Sequence, residues 1–264
     1  AKHGAELLVV IVPGKASVYP DLISDRVEPE QACKTGHSLR VIKQLREKGI
    51  AVVDLFSQFG DARMKDAEYG DSLYLARDTH WRTRGARVAA RTVADRIREY
   101  AWFEGLSGNS VEFMIDSVEV ERIGDVGTMT ALPEFSVRDL QLSFPPELVT
   151  CHQVYQVRRD EEGAVVSKRL FRDDYRRSKV LVLGDSFSRI YQSDEPRSAG
   201  WISHLAYELS QPLASIVSDG GASTLVRETL ARKVGVLNGK KLVVWEFVER
   251  DLRYGAEGWK DIEL

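Results

Sequence analysis

Lys179-Val180-Leu181-Val182-Leu183-Gly184-Asp185-Ser186-Phe187-Ser188 is the stretch on which the reading of this chain turns. Residues 180–183 are four apolar positions in a row, valine alternating with leucine, which predicts a strand buried on both faces. Gly184 permits a tight turn that a Cβ would hinder. Asp185 and Ser186 are then delivered at the strand's carboxyl end, the edge where open parallel sheets bind ligands. A serine held there, with its N–H at the start of a helix, can attack a carbonyl while that N–H stabilises the resulting oxyanion. Gly, Asp and Ser are also ordinary turn formers, so these residues alone leave a plain turn equally open.

A second stretch, Leu73-Tyr74-Leu75-Ala76-Arg77-Asp78-Thr79-His80-Trp81, weights the choice. A serine hydroxyl is too weakly acidic to attack unaided. It needs an imidazole within hydrogen-bond reach, and the imidazole needs a carboxylate to fix its tautomer. Asp78 and His80 supply both on one loop; a metal-ligand pair or a capping aspartate is the alternative for an Asp-x-His. Tyr74 in the same stretch, Asp185, and Lys15 on the loop after the first strand are candidate oxyanion or substrate contacts, a solvent-exposed loop lysine being the alternative for Lys15. The expected geometry puts the His80 ring within ~3–4 Å of the Ser186 hydroxyl. Asp78 is expected to hold His80, with Asp185 bracing its own turn.

Together the two stretches resemble the SGNH-like acetyltransferase domain of the bacterial alginate O-acetylation proteins, in which an Asp-x-His-Trp segment precedes a strand–Gly-Asp-Ser segment. Ordinary SGNH hydrolases run in the other order. The resemblance takes in Pro13-Gly14-Lys15, Tyr19-Pro20, Asp219-Gly220-Gly221 and Val243-Val244-Trp245-Glu246-Phe247. It implies an SGNH-hydrolase-like fold with permuted motif order and a serine-dependent O-acetyltransferase with Ser186, His80 and Asp78 as its triad. No cofactor or metal is implied. The implied partners are a membrane acyltransferase that delivers the acetyl donor, and a polysaccharide or downstream acetyltransferase as acceptor. The implied location is the periplasm, with an N-terminal tether to the inner membrane lying outside this chain. The chain stops soon after its last strand, which likens it to the single-domain member without a carbohydrate-binding module. The Gly-x-Asn-Asp block of ordinary SGNH enzymes is absent. An acetylesterase, or a non-catalytic scaffold of the same fold, are the competing readings.

Composition narrows the field. The 264 residues suit one catalytic domain over 1–264, and a hydrophobic fraction of 43% supports a real core. A net charge of -3, from 37 basic and 40 acidic residues interspersed along the chain, gives no case for nucleic-acid binding. Cys33 and Cys151 form no metal motif and read as two free thiols, with a disulfide left open. No apolar run approaches the ~20 residues of a membrane-spanning helix.

Alternation of strands and helices predicts an α/β three-layer sandwich of flavodoxin-like character around a parallel sheet. Strands are expected over 7–12, 50–56, 180–183, 213–218 and 241–248, and helices over 36–48, 83–100, 201–209 and 223–234. Residues 60–75 read as a connection. Thr83 reads as an N-cap, with Ala86, Ala89, Ala90, Val93, Ile97 and Tyr100 inward and Arg84, Arg87, Arg91 and Arg98 outward. An irregular, β-containing insertion is expected over about 107–177, shaping substrate access as a lid. His152 within it reads as a surface or local packing residue. Gly220 and Gly221, at another strand's carboxyl end, let backbone approach a ligand. Gly221 is the candidate second oxyanion donor, a simple turn being the alternative.

Overall fold

The computed structural model describes residues 4–34, 36–129 and 145–263. Its strands are β1 (Glu6–Val12), β2 (Ala51–Val53), β3 (Phe113–Arg122), β4 (Glu147–Arg159), β5 (Val165–Leu170), β6 (Val180–Gly184), β7 (Ala214–Val217) and β8 (Leu242–Val248). The main helices are α1 (His37–Glu47), α2 (Leu55–Arg63), α3 (Thr83–Arg98), α4 (Trp201–Leu209) and α5 (Leu225–Arg232). Five strands form one parallel sheet in the order β2-β1-β8-β6-β7, and β3-β4-β5 form a separate antiparallel sheet.

The apolar runs explain the parallel sheet. All five residues of β6 are buried, and β1 is buried from Leu8 onward. Strands covered on both faces need no polar alternation. In β6 the two faces enter different clusters. Val180 and Val182 pack into the main core with α3 and α4, while Leu181 and Leu183 pack with Val226 and Leu230 of α5. Helices therefore cover both faces, and each fully buried aliphatic contributes about 1.5–3 kcal/mol. The α3 stripe Ala86, Ala89, Ala90, Val93 and Ile97 is buried as its spacing requires, and α3 packs on α4.

Several local expectations need correction. The strand expected over 50–56 stops at Val53, because Asp54 caps α2 by accepting the Ser57 N–H at 3.0 Å. A helix therefore occupies Leu55–Arg63, where the sequence reads as strand end and connection. Thr83 is not a cap: it is the first helical residue, and its hydroxyl donates to the Thr150 carbonyl at 2.8 Å. Arg84 turns in rather than out, bonding Asp66 at 2.5 Å and the carbonyls of Ala62 and Asp71. The insertion is more regular than expected in its first two strands, while β4 and β5 pair with a register shift at Arg158/Arg159. β3 and β4 pair over an unbroken register from Phe113↔Gln156 to Arg122↔Glu147. Its residues 130–144 lie outside the described residues. Val149, Cys151 and Val154 of β4 join the main core, so the second sheet is packed onto the first. Cys33 and Cys151 are separate buried thiols, each pushed up to about 12 by burial. Among the described residues no helix is long and apolar enough to cross a membrane.

Candidate active site

The histidine loop is built as a miniature hairpin. Tyr74 and Trp81 form an antiparallel bridge, Leu75 N–H donates to the His80 carbonyl at 3.2 Å, and Arg82 N–H donates to the Leu73 carbonyl at 2.8 Å. Residues 76–79 are left as its tip. The tip is pinned from outside: the Lys15 ammonium donates to the carbonyls of Leu75 (2.6 Å), Ala76 (2.8 Å) and Asp78 (3.1 Å). Glu147 accepts the N–H groups of Ala76 (2.9 Å) and Arg77 (2.7 Å).

The serine turn follows β6 directly. Gly184 is required by space: a Cβ there would lie 2.0 Å from Ser188 Oγ and 2.7 Å from a Glu246 oxygen. Asp185 caps the short helix Ser186–Arg189, its Oδ1 accepting the Phe187 N–H at 2.8 Å and its Oδ2 the Val248 N–H at 3.1 Å. The Ser186 N–H, at the first helical position, has no hydrogen-bond partner among the described residues. It is thus free to meet an anion.

The two segments meet at the carboxyl edge of the parallel sheet. His80 Nε2 lies 2.7 Å from Ser186 Oγ, and His80 Nδ1 lies 2.6 Å from Asp78 Oδ1, which also accepts the His80 backbone N–H at 2.9 Å. The three side chains are buried, Ser186 retaining 6% and His80 8% of their exposure. Burial pushes the Asp78 carboxyl up, but the hydrogen bonds from the His80 ring and backbone outweigh it and hold Asp78 below the usual carboxylate range. An ionised Asp78 on Nδ1 fixes the tautomer in which Nε2 is bare, so Ser186 Oγ donates to it. Phe187 backs the imidazole, with ring centroids 4.8 Å apart.

Asp185 stays on its own turn and does not reach the imidazole. Burial raises its carboxyl, against the two backbone N–H groups it accepts. The other candidates fare differently. Lys15 reaches the site, yet its three donors are spent on loop carbonyls, leaving it a brace rather than a substrate contact. Tyr74 is fully buried and donates to the Pro13 carbonyl, tying the hairpin to the end of β1. Tyr74 therefore has no surface to offer a substrate. Gly221 is corrected as an oxyanion donor, because its N–H is consumed by the Ser218 carbonyl at 3.0 Å. Gly220 (φ +58) is exposed in the same turn, at the end of β7. His152 lies on β4 with Ser117, at 3.1 Å, and not at the site.

Three site residues escape the sequence reading. Glu246 of β8 lies fully buried behind the serine turn, accepting from Ser188 Oγ at 2.5 Å and the Asp185 N–H at 3.3 Å. Burial, then the charge of Asp185, pushes its carboxyl well above the usual range. A glutamate inside an apolar strand was its available signal. Glu147 comes from β4 and Asp125 from the short helix Asp125–Met129 that follows β3, and no local pattern marks them. Asp78, His80 and Asp125 bring their ligand-type atoms within 4.8 Å of one another. Hydrogen bonds already account for this cluster: Asp78 Oδ1 takes the His80 donors, and Asp125 takes Thr79 at 2.7 and 2.5 Å.

Known proteins share this arrangement of segments. Residues 1–249 match the family described as "SGNH hydrolase-like domain, acetyltransferase AlgX". The chain is 26% identical over 255 residues to the probable alginate O-acetylase AlgJ of Azotobacter vinelandii, covering 96% of this chain and 59% of that one. It is 28% identical over 130 residues to the alginate biosynthesis protein AlgX of Pseudomonas putida, covering 48% and 26% respectively. It thus spans no more than about three-fifths of either relative. Among solved structures, the O-acetyltransferase domain of Pseudomonas putida AlgJ superposes with a TM-score of 0.67 at 23% identity, covering 95% of this chain and 77% of that one. Pseudomonas aeruginosa AlgX gives 0.68 at 18%, covering 94% and 53%. These structural likenesses speak to the fold: an SGNH-hydrolase-like α/β sheet with an added antiparallel sheet. With the match running through nearly the whole chain and both motif segments, the chain belongs to the AlgX-type SGNH hydrolase-like acetyltransferase family.

Proposed function

We propose that the chain is a serine O-acetyltransferase that modifies hydroxyl groups of an alginate-like polysaccharide. The observation that carries this reading is the continuous hydrogen-bonded series Asp78–His80–Ser186, at 2.6 and 2.7 Å. In the first half-reaction His80 Nε2 takes the Ser186 proton as Oγ attacks the acetyl carbonyl. The oxyanion is met by the free Ser186 N–H. The donor's leaving group departs with the proton from His80, leaving acetyl-Ser186. In the second half-reaction an acceptor hydroxyl gives its proton to His80 and attacks the acetyl carbon. The proton returns to Ser186 Oγ as the new ester leaves. Asp78 remains ionised and stabilises the imidazolium throughout.

Family membership supports acetyl transfer and an exopolysaccharide acceptor. Delivery of the donor by a membrane acyltransferase and a periplasmic, membrane-tethered setting belong to the same proposal. Intact-mass spectrometry after exposure to an activated acetyl ester tests the chemistry. One added acetyl group is expected on the wild type and none on Ser186→Ala; an unmodified wild type sinks the reading. Adding uronate oligosaccharides separates transfer from hydrolysis. Acetylated sugar is expected, and release of acetate alone marks an acetylesterase.

A further inference from the structure

We propose that Asp125, at the start of the short helix Asp125–Met129 that follows β3, is a positioning residue that holds Asp78 and His80 in register with Ser186. The inference rests on the reading just given and deepens it, because it turns the insertion from an expected lid into part of the catalytic frame. Asp125 follows the end of β3 by three residues. Its Oδ1 accepts the Thr79 N–H at 2.7 Å, and its Oδ2 accepts the Thr79 hydroxyl at 2.5 Å. Its own N–H donates to Asp78 Oδ2 at 3.3 Å, the oxygen not used by His80. Oδ2 also lies 3.5 Å from His80 Nδ1, too far to compete with Asp78 at 2.6 Å. Asp125 thus grips the residue between Asp78 and His80 and fixes the second oxygen of Asp78.

The neighbouring backbone is fitted to this grip. A Cβ on Gly124 would lie 1.9 Å from the Arg77 carbonyl, so only glycine allows the two chains to touch there. Val126 N–H donates to the same carbonyl at 3.2 Å. Arg122, the last residue of β3, pairs in register with Glu147, the first of β4. Glu147 is the carboxylate that accepts the Ala76 and Arg77 N–H groups. One end of the antiparallel sheet therefore closes on residues 76–79 from both of its strands. A tip with this many fixed partners keeps the imidazole aimed without reorganisation during the reaction.

The test is steady-state hydrolysis of an activated acetyl ester by the full chain, with Ser186 modification by phenylmethylsulfonyl fluoride as a second readout. Asp125→Ala is expected to lower kcat about 10- to 100-fold with KM little changed, since a misaimed base costs rate rather than binding. The sulfonylation rate should fall in parallel. Asp125→Asn keeps one oxygen to accept the Thr79 N–H, while its NH2 can donate to the Thr79 hydroxyl oxygen, and should recover most of the rate. If Asp125→Ala does not fold, Thr79→Val removes the hydroxyl half of the contact and should lose kcat about threefold, in the same direction. A wild-type kcat in Asp125→Ala, a loss confined to KM, or equal losses in the Asn and Ala variants overturns the inference. So does a wild-type rate that is abolished by EDTA and restored by a divalent cation, since Asp78, His80 and Asp125 would then be ligands. An inactive wild type fails the proposed function itself, whereas an active wild type with an indifferent Asp125→Ala fails only this inference.

Discussion

The serine turn at residues 184–188 is held by the strand it leaves and by the strand beside it. Asp185 accepts N–H groups from Phe187 and Val248, and Glu246 of the adjacent β8 closes it from behind. The histidine loop at residues 73–82 is held by side chains from distant segments: Lys15 after β1, Asp125 after β3 and Glu147 on β4. The turn is stiff because it grows out of a buried sheet. The loop has little sheet of its own, so its stiffness is imported. The site thus joins one part braced by neighbouring strands of its own sheet to one braced by side chains from elsewhere in the fold.

The sharpest way to break this comparison is at the junction. Ser186→Ala and His80→Ala should each lower hydrolysis of an activated acetyl ester about a thousandfold or more. The double variant should be no worse, because members of such a set act as a unit. Losses that multiply would mean that the two residues work independently.

The two aspartates separate the regions next. Asp78→Ala should cost kcat about a hundredfold because it orients the base, and some stability because the His80 and Asp125 N–H groups lose their acceptor. Asp185→Ala should cost about 2–4 kcal/mol of stability for the same reason at the Phe187 and Val248 N–H groups, with a smaller loss of kcat because it does not touch the imidazole. Paired activity and denaturant-unfolding measurements check both; interchanged outcomes would reverse the assignment. Within the loop, Lys15→Met leaves three carbonyls without their donor and should lower kcat about tenfold at unchanged KM. A change in KM alone would make Lys15 a substrate contact after all.

The smallest effect concerns pH. Burial, then the charge of Asp185, raises Asp251 to about 6. A carboxyl whose folded value is raised favours the fold below the unfolded value, and that contribution is lost as pH rises through about 6. Asp251→Asn should therefore gain melting temperature relative to the wild type at pH 8, and gain less at pH 4.5. Thermal scans at the two values suffice, and a larger gain at pH 4.5 contradicts the sign.

What the sequence determined by itself is the part that depends on short-range order. Residues 180–183 could only be a doubly buried strand, and Gly184-Asp185-Ser186 had to be its turn. The 3.6-residue spacing of Ala86, Ala89, Ala90, Val93 and Ile97 defined the inner face of α3. Asp78 and His80 could be placed on one loop because they are two residues apart. Tertiary structure decided where that loop points and what holds it. Asp125 reaches Thr79 across 46 positions and Glu147 reaches Ala76 across 71, and no periodicity records such contacts. The same distance hid the roles of Lys15 and Tyr74, whose polar atoms are spent on backbone 60 residues or more away. The Gly221 N–H is lost to a local bond with the Ser218 carbonyl, and such a turn bond is made or left open by backbone geometry that residue type alone does not set. Helix and strand preferences are properties of a few neighbouring residues, whereas an aimed imidazole is a property of the packed whole.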